Sequence, residues 1–150
     1  METSLNSEKI RELAKALDDA IEKHNVQELL SYFSEECEIH LPGITLSGHE
    51  GLKKAIRWMF RYLKEIALAP VTIIIQDNIF FEEFIVKAKV AGRYLELRQA
   101  EVLEYSTDYK VKSIRLYFDR LEFAQAFSSN FIDRILIKQV NKASLRGLLE

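Results

Sequence analysis

The sequence predicts an α+β domain, with helices packed on one face of a curved antiparallel sheet. Three observations predict it. Up to Leu63 the chain carries three stretches with apolar residues at helical spacing. From Val71 the pattern changes to β-rich runs separated by turn residues, close enough in sequence to pair as an antiparallel meander. After Asp119 two further helix-like stretches follow.

Glu8 to His24 reads as the first helix, because Ile10, Leu13, Ala14, Leu17 and Ile21 fall on one face and Asn6 or Ser7 can cap its start. Asn25 opens a shorter helix, with Glu28 three residues on as in a capping box and Val26, Leu29, Leu30 and Phe33 as its apolar residues. Cys37 to Leu41 reads as a short strand ended by the turn Pro42-Gly43. Ile44 to Ser47 leads into a third helix, capped by Ser47 with Glu50 at the capping-box position. Its buried face is Leu52, Ala55, Ile56, Met59, Phe60 and Leu63, and Pro70 closes the region.

The β half begins with Val71 to Ile75 and Phe84 to Val90. The turn between them falls near Asp77-Asn78 or Glu82-Glu83, and the second position is favoured. Tyr94 to Tyr105 is a long strand and Lys110 to Phe118 the last one. Leu121 to Phe127 and Asn130 to Leu149 are the terminal helices. The second is too short and too amphipathic to stand alone, so it is expected to dock, over a pocket mouth or on a partner subunit. Residues 1–127 thus read as the α+β unit and residues 128–150 as an amphipathic helical extension.

Composition narrows the function classes. A chain of 150 residues, 48% hydrophobic and 29% charged, is ordinary for one globular domain. The net charge of −2, with both signs dispersed, argues against a nucleic-acid partner, which would need a basic patch. One cysteine, Cys37, cannot form an intrachain disulfide and fits a reducing compartment. The polar start of the chain lacks a signal peptide's apolar core, and no apolar run approaches membrane-spanning length. The expectation is a cytoplasmic protein with no membrane partner.

Three stretches carry a family resemblance. They are Leu29-Leu30-Ser31-Tyr32-Phe33-Ser34-Glu35-Glu36-Cys37; Ile39-His40-Leu41-Pro42-Gly43 followed by Gly48-His49-Glu50-Gly51-Leu52-Lys53; and Ile114-Arg115-Leu116-Tyr117-Phe118-Asp119. In this order the chain, over about Ile10 to Ala126, resembles the nuclear-transport-factor-2-like or SnoaL-like superfamily, including polyketide cyclases, limonene epoxide hydrolases and ketosteroid isomerases. The resemblance implies a cystatin-like α+β cone with a pocket. It also implies where chemistry would sit. The isomerases' oxyanion tyrosine falls at Leu17 and their general base at Leu41. The polar positions of the epoxide hydrolases fall at Ile39 and Leu41, and the cyclase and hydrolase carboxylate of the last strand falls at Leu116. All are aliphatic here, and an aliphatic side chain cannot act as a general base. Asp119 matches a second family aspartate and reads as the cap of the following helix. The isomerases' protonated carboxyl falls at Glu101.

The residues themselves also single out Glu101. Leu95, Leu97, Gln99, Glu101, Leu103 and Tyr105 alternate onto one strand face, apolar except at Gln99 and Glu101. A carboxyl in such surroundings has a raised pKa and can donate a proton. The competing reading makes Gln99 and Glu101 a subunit contact on an exposed sheet face, and Arg98, Lys87 and Lys89 a solvated surface or partners of Glu96 and Glu101.

Other candidates read as structural. His40 faces away from Ile39 and Leu41, and His49 at a helix start reads as exposed. With His24 they show no metal-binding spacing, so no metal and no cofactor are assigned. Cys37 reads as a buried, inert thiol. Ser128-Ser129 has no nearby histidine in sequence to support a hydrolase triad. Trp58, Met59, Phe60, Tyr62 and Tyr117 read as core by default.

The sequence therefore predicts a homodimeric cone with an apolar pocket between the sheet and the first and third helices. Leu17, Ile39, Leu41, Met59, Gln99, Leu116 and Phe118 are its lining, and Glu101 is its polar anchor. The leading expectation is binding of a small hydrophobic molecule. One alternative is an isomerase or cyclase acting next to a carbonyl, with Glu101 as general acid. The other is an interaction module whose pocket is filled by its own side chains.

Overall fold

The computed structural model describes residues 4–128 and 130–148. The expected helix end at Leu149 and the serine at position 129 lie outside the described residues. Helix α1 (Ser7–Glu22) buries Ile10, Ala14, Leu17 and Ala20, and Asn6 caps it by accepting from the Lys9 N–H at 3.0 Å. Helix α2 (Val26–Tyr32) has the expected capping pair: Asn25 accepts from the Glu28 N–H, and its amide donates to the Glu28 carboxylate at 2.9 Å. Phe33 belongs to the next strand, β1 (Phe33–Leu41), which is longer than the sequence suggests. Pro42-Gly43 turns the chain into β2 (Ile44–Ser47), antiparallel to β1. Gly43 has φ +86°, a left-handed conformation that selects glycine.

Helix α3 (Gly48–Tyr62) buries Gly51, Leu52 and Ile56. Ser47 stands at its N-cap, but its hydroxyl makes no capping bond, and Glu50 pairs with Lys53 at 2.7 Å instead of closing a capping box. Leu63 is buried but extended, one residue past the helix.

The β half departs from expectation at its start. Strand β3 runs Lys64–Gln76, straight through Pro70, and β4 runs Ile79–Val90. The sheet order β2-β1-β6-β5-β4-β3 makes β3 an edge, and its register shifts between Pro70 and Thr72. An edge strand with a bulge tolerates the N–H that proline lacks, which is why Pro70 does not end the element. The hairpin turns at Asp77-Asn78 and not at Glu82-Glu83. Asp77 adopts φ +54°, which Asp accepts better than most residues, and Asn78 bonds the Tyr105 carbonyl and N–H. Strands β5 (Arg93–Tyr105) and β6 (Val111–Phe118) complete an antiparallel meander. Strand β1 then joins β6 in parallel, with Ile39 opposite Ile114.

Two apolar clusters fill the space between helices and sheet. One gathers α1, α2 and α3 around Phe80, Leu103 and Tyr105; the other gathers Leu63, Phe84, Val86, Leu97 and Phe123. Helix α4 (Arg120–Phe127) is capped by Asp119, as expected, through the Leu121 and Glu122 N–H groups. Helix α5 (Phe131–Ser144) packs beside α4 and buries no residue. It is expected to dock, yet Phe131, Ile132, Leu136 and Val140 face solvent in the single chain.

Core position and edge position should separate sharply under mutation. Phe80, 2% exposed, lies where α1 meets the sheet. Phe80→Ala is expected to lower unfolding free energy by about 3–5 kcal/mol in a denaturant titration. Ile74→Ala, on the exposed edge, is expected to stay within about 0.5 kcal/mol.

Candidate functional site

A cavity of about 130 Å³ lies between the concave face of the sheet and helices α1 and α3. All eight residues expected around a pocket, Leu17, Ile39, Leu41, Met59, Gln99, Glu101, Leu116 and Phe118, line it. The register explains why. Glu101 pairs with Leu116 and Gln99 with Phe118 across β5–β6, so these four face one way, and Ile114 brings Ile39 of β1 alongside. Leu17 comes down from α1 and Met59 from α3. An outer groove of about 510 Å³ shares Leu41, Ala55, Trp58, Phe118 and Phe123 with the cavity and forms its approach. No described residue of α5 lines either space, so α5 does not cap the mouth within its own chain.

Gln99 and Glu101 are 7% and 5% exposed, beneath helices and not on a free sheet face, which removes the subunit-contact reading within this chain. The basic residues of the neighbouring strands pair elsewhere: Arg98 with Glu83 at 2.9 Å, Lys87 with Glu96 and Lys89 with Glu65, each at 3.6 Å. None reaches Glu101.

What the sequence did not single out is the company Glu101 keeps. Glu82 stands directly opposite it across β4–β5, and Asp18 reaches down from α1. Carboxylate oxygens of the three lie within 4.8 Å of one another. Like charges facing each other across a strand pair are unfavourable, and here both are buried. Signals existed for each. Asp18 follows Ala14 by four and precedes Ile21 by three, a polar residue on the apolar face of α1. Glu82 alternates with Phe80 and Phe84. Three oxygen donors of this kind also form the one His, Cys, Asp and Glu grouping of metal-binding dimensions among the described residues.

Electrostatics follow from burial. Asp18 is pushed up to about 8, first by desolvation and then by Glu82, Glu22 and Asp19, with Lys15 pulling the other way. Desolvation raises Glu82 to about 7. Glu101 is held well above the usual carboxylate range by burial, then by Asp18 and Glu82. The buried Tyr105 phenol, raised by burial and by Glu101 and Asp18, has no hydrogen-bond partner.

The aromatic residues expected in the core are split. Trp58, Tyr62 and Tyr117 are 38%, 37% and 55% exposed. Trp58 stacks on Phe123 at 5.7 Å and lines the cavity mouth, so the groove keeps it open on one side. Phe60 is half-buried and stacks on His24 at 4.1 Å. His49, expected in solvent, is half-buried and donates to the Phe33 carbonyl at 3.1 Å. His40 bridges Glu38 and Thr45 near the surface. Cys37 is fully buried with its thiol pushed up by burial, as an inert thiol should be.

A family model described as a SnoaL-like domain matches residues 14–114. No curated protein matches the sequence. Among solved structures, an NTF2-like protein of unknown function from Burkholderia pseudomallei is similar at TM-score 0.74 and 16% identity, over 80% of this chain and 98% of that one. The epoxide hydrolase/cyclase-like enzyme SalBIII, described in pyran ring formation in the polyether salinomycin, is similar at TM-score 0.69 and 11% identity, over 76% and 93%. A hypothetical protein with a ketosteroid isomerase-like fold from Catenulispora acidiphila, in complex with trimethylamine, is similar at TM-score 0.65 and 14% identity, over 72% and 85%. At such identities the likeness is one of fold. No helix of the described residues is long and apolar enough to cross a membrane.

The carboxyl cluster gives stability a defined pH dependence. In the unfolded chain these groups ionise near pH 4. In the folded chain Glu82 and Asp18 keep their protons to about 7 and about 8. Between those limits the folded state binds more protons, so stability falls as pH rises and levels off above the folded values. A tenfold change in proton affinity is about 1.4 kcal/mol, and a chain of this size loses about 2–4 °C in Tm per kcal/mol. Differential scanning calorimetry is expected to give a Tm lower by at least roughly 5 °C at pH 8.5 than at pH 5.5. Asp18→Asn and Glu101→Gln should each flatten that slope. A Tm that rises over this range would contradict the cluster.

Proposed function

The chain belongs to the SnoaL-like domain family, and from that premise we propose that it binds a small, mostly apolar molecule inside the cone. The observation that supports this most directly is the composition of the cavity wall. It is aliphatic and aromatic except at Asp18, Gln99 and Glu101, which converge on one side. Apolar walls with few convergent polar groups are what ligand pockets look like. The size suits a compound near the bulk of a single six-membered ring, since an apolar cavity of about 150 Å³ accepts benzene. The interaction-module reading is less well supported, because it requires side chains to fill the space that Leu116 borders.

A second reading has its own support. Burial keeps Glu101 and Asp18 protonated near neutral pH, so either can donate a proton or a hydrogen bond to a carbonyl oxygen. This favours an isomerase or cyclase acting next to a carbonyl, with Glu101 as general acid. The positions Leu17, Ile39, Leu41 and Leu116 offer no general base, so Asp18 could serve as one only where it loses its proton, above about pH 8.

Native mass spectrometry on the purified protein tests the binding reading and reports subunit number in the same spectrum. A discrete extra mass that leaves on denaturation is expected. Titration with benzyl alcohol, followed by amide NMR, should shift resonances of Ile39, Phe84 and Leu116. Leu116→Trp fills the cavity and is expected to weaken that binding at least about tenfold. Shifts confined to α5 would remove the cavity from consideration. For the enzymatic reading, Glu101→Gln should abolish turnover of any accepted substrate, and unchanged turnover would sink it.

A further inference from the structure

We propose that the ligand is a protonated amine on a compact apolar body, its ammonium group held by Asp18 and Glu101 and its body by the aromatic lining of the cavity. This rests on the cavity-binding reading above and names the class of molecule.

The first argument is charge. The cavity lining contains two carboxyls, one amide and no lysine, arginine or histidine. A third carboxyl, Glu82, backs them within 4.8 Å. Around this trio the charged groups on α1 are Glu22, Asp19 and Lys15; from the sheet come only Glu82, Glu101 and the phenol of Tyr105. Lys15 is spent on Asp19 at 3.1 Å, on the outside of the helix. Repulsion inside the trio is therefore left without an internal cation. A site that had only to grip a neutral carbonyl would need donors, which asparagine, glutamine or tyrosine supply without mutual repulsion. A positive charge beside them is what would let one of the three ionise in place, since an opposite charge within a few ångströms favours the carboxylate.

The second argument is unmet hydrogen bonding. Gln99 is 7% exposed and faces the cavity, and its side-chain amide makes no hydrogen bond among the described residues. Its carbonyl oxygen can accept one ammonium N–H while the carboxylates accept the others. Tyr105 Oη, also buried and unpartnered, lies within electrostatic reach of Glu101 and Asp18 and can donate to whichever of them ionises.

The third argument is the aromatic lining, two of whose rings, Phe84 and Phe118, flank Gln99 across β4 and β6. Phe84, Phe118, Phe123 and Trp58 line the same cavity. Aromatic side chains offer large apolar faces on which a compact ring or hydrocarbon body packs. Proton balance follows: an amine that arrives as its cation displaces one proton from the trio to solvent. An amine that arrives as the free base takes that proton, and in both cases the bound pair is ammonium and carboxylate. A divalent metal would instead need several further oxygen donors, and the rest of the wall is carbon.

The test compares three molecules of one shape on the intact protein: benzylamine, benzyl alcohol and benzoate, by isothermal titration calorimetry at pH 6 and pH 8.5. Benzylamine is expected to bind at least about tenfold more tightly than the alcohol at pH 8.5, and benzoate not to bind. The preference should shrink at pH 6, and buffers of different ionisation enthalpy should show up to one proton released. Asp18→Asn and Glu101→Gln should each cut the preference for the amine over the alcohol at least about tenfold, and a single cooperative melting transition shows that each variant is folded. If the alcohol binds as tightly as the amine, the amine assignment falls and the cavity reading stands. If none of the three binds, both fall. If magnesium or calcium binds and the two substitutions abolish it, with no preference for the amine, the trio is a metal site and the assignment is overturned.

Discussion

Three carboxyl groups share the interface between α1 and the β4–β5 pair, and the interior can close only if they keep protons or meet a positive charge. An unpaired buried carboxylate is among the least favourable things a core can contain. Around Asp18, Glu82 and Glu101 the fold supplies apolar packing from Leu17, Phe80 and Leu103 but no internal counter-ion. The helix that lays Leu17 into the core also brings Asp18 to the cavity, so packing and chemistry are bound to the same turn of α1. Neither can be changed without the other.

The cavity lies between the concave sheet and the first and third helices. Its wall is aliphatic at Leu17, Ile39, Leu41 and Leu116 and acidic at Asp18 and Glu101, with Glu82 behind them. The polar groups are concentrated on the side formed by α1, β4 and β5, while β1 and β6 present Ile39, Leu41, Ile114 and Leu116. A molecule inside would be gripped at one end and simply surrounded at the other, which orients it without any need for contacts along its length.

Much of this was legible in the sequence, and the boundary of legibility is physical. Strand alternation announced that Gln99 and Glu101 would share a face with Leu97 and Leu103, because side-chain direction in a strand depends only on parity. Asn6, Asn25 and Asp119 were legible as caps because capping is decided within a few residues. Asp18 and Glu82 were not singled out, for opposite reasons. Asp18 stands beside Asp19 and near Glu22, so it blends into a solvated stripe. Glu82-Glu83 imitates a polar turn and hides the alternation running through it. Pro70 was misjudged because its tolerance depends on β3 being an edge, a property of sheet order that no local window contains. The parallel pairing of β1 with β6 was hidden in the same way, since it joins segments from opposite ends of the fold.

That edge has a consequence beyond the site. Strand β3 contains Val71-Thr72-Ile73-Ile74-Ile75, a β-branched run of the sort that templates the growth of foreign strands when left open. Its ladder is interrupted on the N-terminal side, where Pro70 contributes no N–H and the register slips before Thr72. An approaching chain would find a donor missing and the spacing wrong just where the apolar run starts. Pro70 thus stands in the position of a gatekeeper, at the start of the apolar run on an open sheet edge.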